Sequence, residues 1–123
     1  MTQAVAKRMT WAVLSAVLAF PGNPGARVAL QARVWPSVAM APATVRIEVL
    51  LEANDDNRVL RIVADSGEYL RSSTIGLAGS RAARFHNVTY RSMPAGDYEI
   101  QVELLDQTGV VRAIERHWIR LIS

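Results

Sequence analysis

The feature that most constrains this chain is a hydrophobic period of two that begins near Arg27 and recurs to the end. The clearest case is YEIQVEL. Tyr98, Ile100, Val102 and Leu104 fall on one side, and Glu99, Gln101 and Glu103 on the other. TVRIEVLLE repeats the pattern with Val45, Ile47, Val49 and Leu51 against Arg46, Glu48 and Glu52, and Leu50 is its apolar exception. Successive side chains of a strand point to opposite faces, so this alternation predicts sheets with one buried and one wet face.

Turn chemistry punctuates these segments. ANDDN (Ala53–Asn57), DSGE (Asp65–Glu68), LAGSR (Leu77–Arg81), MPAGD (Met93–Asp97) and DQTG (Asp106–Gly109) separate them. DQTG suits a hairpin in which Gly109 takes a positive φ. Seven strands are predicted, at about 27–35, 44–53, 58–64, 69–77, 83–91, 97–106 and 110–121, with no helical segment between them. That order argues for an antiparallel sandwich rather than βαβ units. The proline-bounded stretch PSVAMAP (Pro36–Pro42) belongs at an edge or at a crossing between sheets, because proline cannot donate to a ladder. The last strand carries conflicting phases at Ala113 and Ile114, which a bulge would reconcile.

The first 26 residues differ. Lys7 and Arg8 precede an uncharged apolar run, Met9–Phe20, and PGNPGA follows. That order is the order of a secretory signal peptide. The run is 12 residues, and a bilayer span needs roughly 20. Small residues offer three cleavage points, Ala19, Ala26 and Ala32, with Val17, Pro24 and Leu30 at the respective −3 positions. A cleaved signal, an uncleaved membrane anchor and a helix packed on the domain are the three readings. Residues 1–26 are therefore expected to be a signal or anchor helix, and 27–123 the domain. An extracytoplasmic location follows, whether periplasmic, secreted or at the cell surface, with membrane association only if the helix is retained.

Charge and cysteine content exclude several functions. The chain carries one Lys and 13 Arg against 11 acids, for a net charge of +3. Without Lys7 and Arg8 the balance is 12 against 11, or +1. The arginines alternate with acids and form no stripe, so no nucleic-acid partner is expected, since counterion displacement needs a clustered basic face. With no cysteine there is no disulfide, thiolate nucleophile or cysteine-held metal.

The turn and strand MPAGDYEIQVELLD resembles the corner and sixth strand of immunoglobulin-like and fibronectin type III-like domains. PSVAMAPATVRIEV (Pro36–Val49), YLRSSTI (Tyr69–Ile75) and MPAGDYE (Met93–Glu99) are similar to pieces of exported bacterial domains of that kind. The resemblance covers residues 37 to 121. It implies an all-β, seven-stranded immunoglobulin-like sandwich, with the Tyr98 hydroxyl bonded back to the backbone near Met93, Pro94 and Gly96. It implies architecture and little about activity.

Candidate chemistry is sparse. His86 and His117 are the two histidines. They could serve a small enzyme or a metal only if their strands bring them together with an acid. Asn54–Asn57 offers oxygen ligands without the spacing of an EF-hand. Ser72, Ser73, Thr74 and Ser80 lie near no base at triad spacing, and Gly76, Gly79, Arg81 and Arg84 do not form a phosphate loop. Asn87–Thr89 is a glycosylation sequon and reads as strand. Neither an enzyme nor a cofactor or metal site is expected. Trp35 and Trp118 fall out of phase with their apolar neighbours, so they and Arg33 and Arg120 form a candidate interaction patch if the first and last strands pair. The expected role is a non-catalytic binding or structural module that meets a protein through a sheet edge or exposed aromatics. A membrane-tethered accessory subunit of a larger complex and a small enzyme or metal-dependent protein using His86 or His117 are the alternatives.

Overall fold

The computed structural model describes residues 29–123. The expected signal or anchor helix in residues 1–26 lies outside the described residues. Among the described residues eight strands are formed: β1 Leu30–Trp35, β2 Val38–Met40, β3 Ala43–Leu51, β4 Val59–Asp65, β5 Leu70–Gly76, β6 Phe85–Met93, β7 Gly96–Leu105 and β8 Val111–Ile122. They make a three-stranded sheet in the order β1-β3-β6 and a five-stranded sheet in the order β2-β8-β7-β4-β5. Among the described residues no helix is long and apolar enough to cross a membrane.

The expected seven strands become eight among the described residues. The additional strand is β2, inside the proline-bounded stretch, where the chain crosses from one sheet to the other. It pairs in parallel with β8, Val38 with Arg120 and Met40 with Ile122, so the sandwich is not wholly antiparallel. Two flanking bonds lengthen this ladder, Arg120 N to Ser37 O at 2.8 Å and Ala41 N to Ile122 O at 2.7 Å. Three residues show no alternation of their own, and the partner strand lies some eighty residues downstream, so local pattern does not reveal β2.

The alternating residues build the core. Val45, Ile47, Val49 and Leu51 of β3 face Leu60, Ile62 and Ala64 of β4, Tyr98, Ile100, Val102 and Leu104 of β7, and Ile119 and Leu121 of β8. Each fully buried Leu or Ile side chain contributes roughly 1.5–3 kcal/mol of transfer free energy. Met93 is fully buried beneath the corner, and the Tyr98 hydroxyl donates to the Pro94 carbonyl at 2.8 Å. The Tyr69 ring meets Tyr98 edge-on, 6.4 Å between centroids.

The turns hold their strands with short polar contacts. In the β7–β8 hairpin Gly109 has φ +88°, and the Asp106 carboxylate accepts from the Thr108 hydroxyl and from the Thr108 and Val110 amides. The β7–β8 register shifts between Val111 and Ala113, which sets the phase of the last strand. At the same end a short 3-10 turn, Gly79–Arg81, packs on the loop after β3. Asn57 is buried there. Its amide donates to Glu52 O at 2.9 Å and its oxygen accepts from Arg112 of β8. Across the β5–β6 side the Ser73 and Tyr90 hydroxyls bond at 2.8 Å. Arg71 lies 4.8 Å from the Tyr90 ring centroid and donates to Arg91 O at 3.1 Å.

Candidate functional site

The β8 strand is the longest of the described strands, at twelve residues, and its two edges differ. One edge is paired with β7 along most of its length. The other meets β2 at Arg120–Ile122 only. Since the Arg120 N–H points to that second edge, alternation points the N–H and C=O groups of Trp118, Arg116 and Ile114 the same way. No described strand forms a ladder with them. Strand β1 comes close to β8 but pairs with β3.

The two faces of β8 are sorted by phase. Ile119 and Leu121 enter the core, while Ile114, Arg116, Trp118, Arg120 and Ile122 face outward. Trp118 is 67% exposed. Arg120 forks onto Asp97 of β7, with Nε to Oδ1 at 2.8 Å and Nη2 to Oδ2 at 3.5 Å. That carboxylate holds the Arg120 guanidinium above its ordinary pKa. Arg116 Nε lies 3.3 Å from Glu99 Oε2. An open hollow of about 450 Å³ is lined by Ser37, Val38, Asp97, Trp118, Ile119 and Arg120. Glu115 and His117, by contrast, sit on the core-facing side of β8, with His117 Nε2 3.2 Å from Glu115 Oε1. Inward-facing polar side chains next to an open edge discourage indiscriminate strand pairing.

The four candidate residues fall into two groups. Trp35, 41% exposed, ends β1 with the Arg33 guanidinium 5.9 Å from its ring centroid. It lines a separate hollow with Pro36, Thr44 and Arg46. Trp118 and Arg120 belong to the other sheet, and β1 and β8 do not pair. Trp35 and Trp118 therefore sit on strands of different sheets, while β2, just past the proline that follows Trp35, pairs with β8.

The remaining candidates are dispersed as well. His86 lies on β6 of the three-stranded sheet with Nε2 2.7 Å from Ala83 O, and His117 lies on β8 of the five-stranded sheet. The two do not converge. Asn54 Oδ1 accepts from the Asp56 amide, and Asp55 accepts from the Ser80 hydroxyl at 2.7 Å. Among the described residues no three His, Asp or Glu side chains gather in a metal-binding set. Sequence reasoning missed two features. The Ile114–Trp118 edge depends on how far β2 extends. Asn57 reads as one polar residue in a loop, and its burial depends on Arg112, 55 positions later.

No protein-family model matches the chain, and no curated protein matches it. Among solved structures, the superoxide reductase (neelaredoxin) from Ignicoccus hospitalis is similar, with a TM-score of 0.53 over 75% of this chain and 79% of that one, at 10% identity. At that identity the likeness is one of fold. It still corrects the expectation that this chain is no enzyme. An enzyme shares the architecture, so an all-β sandwich gives no ground for excluding catalysis; chemistry resides in a site grafted on a fold.

Proposed function

We propose that the domain beginning near residue 27 is an immunoglobulin-like, fibronectin type III-like binding module that works outside the cytoplasm and engages a protein partner through the open edge of β8. The observation that carries this reading is the short reach of β2: it covers Arg120–Ile122 and leaves the edge groups of Ile114, Arg116 and Trp118 without a ladder partner among the described residues. A partner strand laid there gains main-chain hydrogen bonds, and alternate side chains give it selectivity. The two-sheet order and the Tyr98–Pro94 bond support the domain type. The Lys7–Phe20 segment supports export.

The test is partner capture from an extracytoplasmic extract with the wild-type domain and with Ile114→Pro. Proline at that position removes an outward donor and spares the β7 ladder. Loss of the captured species with Ile114→Pro is expected, and an unchanged set would overturn the edge reading.

Retention of the N-terminal segment would make the protein a membrane-tethered accessory subunit, the weaker reading because the apolar run Met9–Phe20 has 12 residues where a bilayer span needs roughly 20. Intact mass in each cell fraction separates the two. A shortened periplasmic species supports the exported module, and a full-length membrane species supports the tether.

A further inference from the structure

The outer face of β7 and β8 carries an arrangement that the edge reading does not use. Arg116, Trp118 and Arg120 follow one another on the outward side of β8, opposite Gln101, Glu99 and Asp97 of β7. A strand rise of about 3.4 Å per residue puts each arginine ~7 Å from Trp118, one on either side. Arg120 is neutralised by Asp97 and Arg116 by Glu99. An exposed indole is thus flanked by two ion pairs, each presenting N–H donors and carboxylate acceptors side by side.

We propose that this face binds a neutral oligosaccharide, with one sugar ring seated on Trp118 in the hollow beside Ser37 and Val38. The C–H groups on the flat side of a pyranose carry partial positive charge and meet the electron-rich face of the indole. Each sugar hydroxyl both donates and accepts, and a paired guanidinium and carboxylate supply both complements at once. A charged ligand meets charges that are already matched. A wholly apolar ligand would strip water from the ion pairs and return no hydrogen bonds. The hollow of about 450 Å³ is open to solvent, as a site for part of a longer chain must be.

The test uses calorimetry and tryptophan fluorescence on the full chain. Cellotetraose, maltotetraose and chitotetraose are the neutral probes, and tetragalacturonate is the charged one. At least one neutral tetramer is expected to bind saturably, with affinity falling about tenfold or more in Trp118→Ala. Asp97→Asn should weaken binding, Trp118→Tyr should restore part of it, and Trp35→Ala should leave it unchanged. The inference is overturned if no neutral tetramer saturates by about 5 mM, if Trp118→Ala binds as the wild type does, or if tetragalacturonate binds more tightly than every neutral probe. Ile114→Pro, which blocks the β8 edge, should leave saccharide binding intact, so the two proposals fail separately.

Discussion

The Pro94 carbonyl accepts the Tyr98 hydroxyl at 2.8 Å, so the turn before β7 is fastened to the strand it delivers. The ring beneath that hydroxyl is fully buried and packs edge-on against Tyr69. Tyr98→Phe keeps the packing and deletes the bond. It should lower unfolding free energy by about 1 kcal/mol with an unchanged m-value, read by urea denaturation.

Asn57 is the buried polar side chain of the opposite end, and it joins the loop after β3 to Arg112 of β8. Asn57→Ala leaves the Glu52 carbonyl and the Arg112 guanidinium without that partner. A loss of about 2–3 kcal/mol is expected in urea unfolding. Amide hydrogen exchange should quicken first in the loop from Glu52 to Asn57.

Three glycines should rank by backbone and space. Gly79 has φ +62°, and an added Cβ would stand 3.0 Å from Asp55 O. Gly79→Ala should therefore cost about 2 kcal/mol or more. Gly109 has φ +88° in open space, and its alanine variant should cost about 1 kcal/mol. Gly76 has open space and ends the edge strand β5, so Gly76→Ala should be neutral or stabilising by about 0.5 kcal/mol. Thermal midpoints of the three variants give the order directly.

Stability should fall in acid through two surface aspartates. The Ser80 hydroxyl and amide hold Asp55 below the ordinary carboxyl range, and the Thr108 hydroxyl with the Val110 amide does the same for Asp106. A carboxyl with a depressed folded pKa adds stability above its unfolded value and loses it as pH drops through the folded one. The urea midpoint should hold from about pH 7 to 5 as far as these groups govern it, and decline below about pH 4. Thr108→Val and Ser80→Ala should each shrink that decline.

Adjacent residues of β8 should respond in opposite ways to truncation. Trp118 faces solvent and Ile119 enters the core. Trp118→Ala should change stability by no more than about 0.5 kcal/mol, whereas Ile119→Ala should cost about 3 kcal/mol. Equal effects would show that the phase of this strand is wrong.

Much of the core was legible because alternation is a local signal. Val45 to Leu51 and Tyr98 to Leu104 face inward as their spacing predicts, and Leu50, the apolar exception, lies outward beside Phe85. The Tyr98–Pro94 bond was legible by resemblance, since its turn and ring lie within a few residues of each other. Non-local features were not. Strand β2 exists because Ser37 and Ala41 meet Arg120 and Ile122, and nothing between Pro36 and Pro42 encodes that partner. The candidate residues were chosen by phase, which tells which side of a strand a residue takes but not which sheet the strand joins. Trp35 and Trp118 share the first property and differ in the second.

The parallel pairing of β2 with β8 governs how the domain would bear tension. Force applied through the two ends of the chain pulls β2 and β8 in opposite senses along their length. The bonds from Ser37 to Arg120 and from Ala41 to Ile122 then carry load together, in shear, instead of parting one at a time. The smallest strand of the fold is the clasp that would have to slip before a stretched chain could draw the long last strand out of its sheet.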